Sequence, residues 1–245
     1  MSSNSSHIDV TAFHEAGHVI ATLAEGDRVA FVRVSRHEPG AGVTRVLNKD
    51  RKNPFACGQG ALASAWHYVL ESRLKLVRPI LAGPLAEAKR LGAPLRTLGS
   101  VNDLERCLLK IEELQSHYDF LSALGGRLSA FCPYAVLNNE RARVRRWVAQ
   151  PKVWTCIRHL AEALMRQEHL DEMEILQVCS ATPHFKDQHQ GSLFQALPEI
   201  TYAESSSAEA PKVREWAPMW ILPKKKQAWP LATWTLPKGV TRVAA

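Results

Sequence analysis

The residues best equipped for chemistry lie near the start of the chain, in Phe13-His14-Glu15-Ala16-Gly17-His18-Val19. Two histidines at this spacing lie on the same face of an α-helix. Both imidazoles can therefore reach one metal ion. Zinc suits imidazole, and a catalytic zinc takes three protein ligands and keeps a position for water. Glu15 sits beside that position. It can take a proton from the activated water and later pass it to a leaving amine. His14 and His18 are thus candidate ligands and Glu15 is the candidate general base. The spacing does not supply a third ligand. The competing reading is a helix with two surface histidines and a solvated glutamate. Phe13, Ala16, Gly17, Ile20, Ala21 and Ala24 argue against it, because they surround the motif with more apolar surface than a solvated face carries.

The motif needs a helix, and the flanking residues supply its limits. Asp9 is a candidate N-cap and Gly26 a candidate stop, which predicts a helix over 9–25 behind a short disordered lead, 1–8. Ala16 and Gly17 allow another backbone to come close. Val29 to Ser35 reads as a strand and Gly42 to Leu47 as a second, joined through Pro39-Gly40-Ala41-Gly42 as a hairpin. A strand edge beside such a helix can hold an extended peptide by backbone hydrogen bonds. Val43 and Thr44 are its candidate substrate-binding residues; the plainer reading is a small structural hairpin.

Residues 48–57 read as a loop. Helical spacing over 58–91 is interrupted near Pro79 and Gly83-Pro84, which predicts two helices, 58–77 and 84–91. Another helix opens at Ser100 or Asn102 and runs to about Tyr118, with Asp103 and Glu105 in its first turn. Val136 to Val148 and Trp154 to Gln167 form a helical pair, the second with Ile157, Leu160, Ala161 and Leu164 facing a core. A last helix covers Asp171 to Cys179.

Composition bounds the class. The 245 residues suffice for one sizeable domain with an appendage, and an apolar fraction of 46% is that of an ordinary globular protein. The net charge of +7 is spread along the chain without a nucleic-acid motif, so nucleic acid is not favoured as a partner. Five scattered cysteines without a Cys-x-x-Cys fit reduced thiols in a cytoplasmic protein. No apolar run approaches the roughly 18 residues of a membrane span.

Several blocks, in order, resemble the peptidase domain of FtsH-type zinc peptidases. Thr11-Ala-Phe-His-Glu-Ala-Gly-His18-Val-Ile-Ala is similar to that family's active-site helix, and Val29 to Thr44, ending Gly42-Val43-Thr44, to its strand pair. Leu81-Ala-Gly-Pro-Leu-Ala-Glu87 resembles a degenerate form of its Gly-Gly-Arg-x-Ala-Glu-Glu helix. Thr97-Leu-Gly-Ser-Val-Asn-Asp103-Leu-Glu105 resembles its Thr-Gly-Ala-Ser-Asn-Asp-Leu-Glu segment, and Ile157 to Cys179 its closing helices. The resemblance implies a zinc endopeptidase acting on protein or peptide substrates, with one Zn2+ per chain. It implies a mostly α (α+β) fold: a helical zincin-like domain over 9–182 with a small β-hairpin and an edge strand. It also implies Asp103 as the third ligand. Glu87 is the alternative ligand, since other HExxH peptidases use a downstream glutamate, or else a partner to a ligand histidine.

The departures are informative too. The chain has no Gly-x-x-x-x-Gly-Lys-Ser/Thr, so any ATP dependence would come from a separate ATPase or unfoldase. Ala82-Gly83-Pro84 replaces the family's Gly-Gly-Arg, and a homo-oligomer, which the family forms as a ring, stays an open expectation. The alternative function is a non-catalytic binding or regulatory module on the same fold. Residues 183–245 lie outside the resemblance. Trp216, Trp220, Trp229 and Trp234 flank Lys224-Lys225-Lys226 there, which favours an irregular extension that docks or packs on the domain.

Overall fold

The computed structural model describes residues 3–38, 40–47, 62–92, 98–125, 128 and 130–182. By internal contacts the chain divides into Met1–Thr201 and Tyr202–Ala245, and the second unit lies wholly outside the described residues. So do the predicted loop at 48–57 and the expectations for the Trp- and Lys-containing extension.

The fold is mostly helical with a small antiparallel sheet, as expected. Its elements are α1 (Ser3–Ala24), β1 (Arg28–Val34), β2 (Gly42–Leu47), α2 (Leu62–Leu91), α3 (Leu98–Ala123), α4 (Pro133–Ala149), α5 (Pro151–Gln167), β3 (His169–Asp171) and α6 (Glu172–Ser180). The sheet order is β2-β1-β3, with a bulge between Val29 and Phe31. The hairpin is therefore real, but β3 was not anticipated: a three-residue strand is too short to carry an alternating pattern. Among the described residues no helix is long and apolar enough to cross a membrane.

α1 is the central element. Ala12, Ala16, Val19, Ile20 and Ala21 are essentially without exposure. It begins at Ser3, ahead of the Asp9 start expected, and Asp9 lies within it, paired with Arg90 of α2 at 2.9 Å. α2 crosses α1 at close range. A Cβ at Gly17 would lie 2.6 Å from the Ala82 carbonyl oxygen, so only glycine admits this approach. Phe13 packs on Trp154 of α5 with ring centroids 5.3 Å apart. On the sheet side, Val29, Val32 and Val34 of β1 and Leu170 of β3 turn into the core.

α2 corrects the sequence reading. It runs unbroken through Pro79 and Pro84, where two helices were expected. Each interior proline forfeits one backbone hydrogen bond, a cost of about 3 kcal/mol. Burial of Val77, Leu81, Ala82, Leu85 and Ala86 around them offsets it, at about 1.5–3 kcal/mol for each large side chain. α5 buries Ile157, Leu160, Ala161 and Leu164, the stripe expected of it. α6 opens on a capping box in which Asp171 and Glu174 exchange hydrogen bonds.

The turn after α1 shares a buried charge cluster with helices α2 and α4. Arg78 donates to Glu140 at 2.6 Å and to Glu25 at 3.3 Å, and all three side chains are at most 3% exposed. Burial raises the Glu25 carboxyl above its ordinary 4.5 while Arg78 pulls it back down. Without Arg78 the rise is larger. A carboxyl raised by folding contributes stability below its unfolded value and loses it as pH climbs through the folded value. Replacing Arg78 with Leu is therefore expected to cost about 3–5 kcal/mol at pH 7. The deficit shrinks toward pH 5, as urea unfolding at the two pH values would measure.

Candidate metal centre

His14 and His18 project from adjacent turns of α1 toward α2 and α3. Asp103 comes from α3, which starts at Leu98, so the aspartate stands in the second helical turn and not in the first turn expected of it. His14 Nε2 lies 2.9 Å from Asp103 Oδ2, His18 Nε2 lies 3.1 Å from the same oxygen, and the two Nε2 atoms are 3.0 Å apart. Ligands of one tetrahedral zinc stand about 3.3 Å from each other. The triangle is slightly tighter than that and points its three atoms at one spot. His14 and Asp103 are buried and His18 is nearly so.

The outer nitrogens decide what the inner ones are. His18 Nδ1 faces the Pro79 carbonyl oxygen at 2.8 Å, and a carbonyl can only accept, so Nδ1 carries the hydrogen. His14 Nδ1 faces Glu87 Oε2 at 2.8 Å and donates likewise. In the neutral rings both Nε2 atoms are then lone-pair acceptors, and the carboxylate oxygen is a third. Three acceptors within hydrogen-bonding distance, with no donor among them, require a proton or a cation between them. Two imidazoles and a carboxylate fit a metal ion of the zinc, iron, copper or nickel type. The surrounding charge agrees: Glu15, Glu87 and Asp103 are all at most 6% exposed. Burial would lower the His14 pKa, but hydrogen bonds to Asp103 and Glu87 and the nearby carboxylate charges raise it to about 9. Burial would raise Asp103, yet the histidines hold it well below the usual carboxylate range. Arg106 donates to the other Asp103 oxygen, Oδ1, at 3.2 Å, which leaves Oδ2 for the centre.

Each candidate residue now has a place. His14, His18 and Asp103 meet. Glu87 sits behind His14, at the ring nitrogen facing away from the cluster, and so orients a ligand without joining the triangle. Thr44, expected only as part of a peptide-binding strand, donates its hydroxyl to Glu15 Oε2 at 2.6 Å. Val43 points to the opposite face and is 42% exposed. The Thr44–Glu15 bond, the Pro79 carbonyl and Arg106 were not foreseen. The register of β2 against α1, which produces the first, is a tertiary fact with no local signal. Gly83 was noted as a helix breaker and as part of the altered Ala82-Gly83-Pro84 segment, without a role at the site. A Cβ there would collide with the His18 imidazole, so the site requires glycine.

Comparison with known proteins finds no matching family model and no similar curated protein.

Loss of the Glu87 carboxylate is expected to weaken metal binding about 10–100-fold. Gly83→Ala should abolish binding while leaving the helical circular dichroism intact. Chelator competition with Zn2+ on Glu87→Ala and Gly83→Ala measures both. Unchanged affinity in either variant would contradict the roles assigned here to Glu87 and Gly83.

Proposed function

We propose that this protein is a zinc-dependent endopeptidase in which His14, His18 and Asp103 hold the metal and Glu15 is the general base. The observation that carries the reading is the triangle of His14 Nε2, His18 Nε2 and Asp103 Oδ2, 2.9–3.1 Å apart, with a buried glutamate one residue along the same helix. The order of motifs resembling FtsH-type peptidases, which includes these residues, supports it. A bound zinc ion would supply the Lewis acidity that polarises a peptide carbonyl and acidifies water.

The chain's own groups account for the rest. Glu15 takes a proton from the attacking water and returns it to the departing amine. Its carboxylate must hold one orientation to do both. Thr44 Oγ1 fixes one oxygen, and the backbone at Gly42 packs against the other: a Cβ there would lie 2.5 Å from Glu15 Oε1. β2, the strand that fixes the base, is also a free edge among the described residues. An extended peptide pairing with that edge places its backbone alongside Glu15, and backbone pairing leaves much of the substrate sequence unspecified.

Metal content and casein hydrolysis on purified protein test the reading, casein being unstructured and needing no unfolding. Glu15→Gln is expected to retain zinc and lose about 100- to 10,000-fold in rate. Asp103→Ala should lose or weaken zinc as well. Thr44→Val should lower the rate about tenfold, the worth of a hydrogen bond to a charged group, and Thr44→Ser should restore it. Hydrolysis by Glu15→Gln at the wild-type rate would exclude the mechanism. Stoichiometric zinc with no cleavage of casein or peptides would favour a binding module.

A further inference from the structure

The outer face of the sheet, turned away from α1, carries a charge pattern that the peptidase reading leaves unused. Side chains alternate along β2. Gly42 and Thr44 face Glu15, so Val43, Arg45 and Leu47 face outward, with Val43 and Leu47 42% and 41% exposed. Behind them, β1 pairs Arg33 with Val43 and Phe31 with Arg45. Arg33 and Arg45 therefore stand diagonally on one face, within reach of a single side chain from a neighbouring strand. Both are exposed, and neither forms an ion pair with a described residue. The other arginines at this sheet are satisfied: Arg28 by Glu172 at 2.6 Å and Arg36 by Glu168 at 3.0 Å. Beside Arg33 the face sinks into a cleft of about 370 Å3 whose lining includes Gly42, Val43, His169 and two acids, Glu38 and Glu168, the latter paired with Arg36.

We propose that this face selects the substrate: an extended peptide with an aspartate or glutamate opposite Arg45, flanked two residues away on each side by apolar residues that meet Val43 and Leu47. The inference rests on the edge-strand peptidase reading above and adds the substrate class. A strand added to the free edge of β2 places every second side chain on the outer face, beside Val43, Arg45 and Leu47 in turn. The intervening side chains face Thr44 and Glu15. The acid is thus one residue from the position facing Thr44. Because the pattern apolar-x-acid-x-apolar reads the same in both directions, the selection does not depend on whether the peptide runs parallel or antiparallel to β2. The carboxylate offsets one of two guanidinium charges that otherwise repel each other.

The test uses zinc-loaded, full-length Glu15→Gln and three fluorescein-labelled peptides containing Val-Thr-Glu-Thr-Val, Val-Thr-Gln-Thr-Val or Val-Thr-Lys-Thr-Val. Fluorescence anisotropy should rank them Glu over Gln over Lys, with about fivefold between the first two at low salt. The preference should fade as salt rises. Arg45→Glu in the same background should reverse the ranking of Glu and Lys, and Arg33→Ala should flatten it. Both positions are exposed, so zinc content and circular dichroism should be unchanged. Equal affinity for all three peptides, or no binding of any at millimolar concentration, overturns the proposal. Casein hydrolysis by the wild type, run in parallel, reports on the peptidase reading separately. Cleavage of casein with equal peptide affinities discards the acidic selection and leaves the peptidase standing.

Discussion

Everything around the centre follows from one electrostatic constraint: two imidazole nitrogens and a carboxylate oxygen meet in a buried space, and a proton or a cation must lie among them. Two unprotonated imidazole nitrogens and a carboxylate oxygen within about 3 Å repel unless a positive charge lies between them. Folding alone does not favour such a cluster. It persists because each outer atom is tied to a rigid element. His18 is set by the Pro79 carbonyl, His14 by Glu87, and Asp103 by Arg106. These ties come from α2 and α3, so the packing of three helices and the choice of tautomer are one arrangement. The close contact of α1 with α2 at Gly17 and Gly83 is the geometric condition for it.

The same constraint explains why parts of the site could be read from the sequence and others could not. His14, Glu15 and His18 are legible because their relation is local: one helix and one spacing define it. Asp103 lies 89 residues from His14, and nothing in its neighbourhood marks it. An acid near a helix start is ordinary, and the structure places it in the second turn, where dipole compensation is not its purpose. Only the order of motifs along the chain pointed to it. Glu87 was legible as one of two possibilities, and the geometry places it behind His14. Thr44 was assigned to the right strand, but its hydroxyl is spent on Glu15, because inward-facing and outward-facing positions of a strand separate only when its register against a helix is known.

The misread elements have similar causes. Local propensity ends a helix at proline, but α2 carries two and continues, since its apolar side chains have α1, α3 and α4 to pack against. β3 exists because β1 offers it pairing partners: Val32 takes Leu170 and Arg33 takes His169. In both places long-range packing overrides a local rule, as tertiary context does with marginal propensities. The buried Arg78–Glu140–Glu25 cluster is another such case. Its residues are scattered over α2, α4 and the turn after α1, and none looks like a core residue in sequence.

The sheet is small, yet it joins the centre to the surface. β1 is covered on both sides, by β2 and β3, so its position is fixed by two ladders and by Val29, Val32 and Val34 in the core. Among the described residues β2 has one ladder only, and its inward positions close on Glu15. Any strand that pairs with its other edge would therefore bear on the strand that holds the Glu15 carboxylate. The edge cannot bind a peptide without fixing β2 further, and a better-fixed β2 holds Glu15 more tightly through Thr44 and Gly42. Occupancy of the edge and alignment of the carboxylate are consequently coupled by a single hydrogen bond and a single close contact. Under the proposed function, this coupling would align the base when a peptide is present.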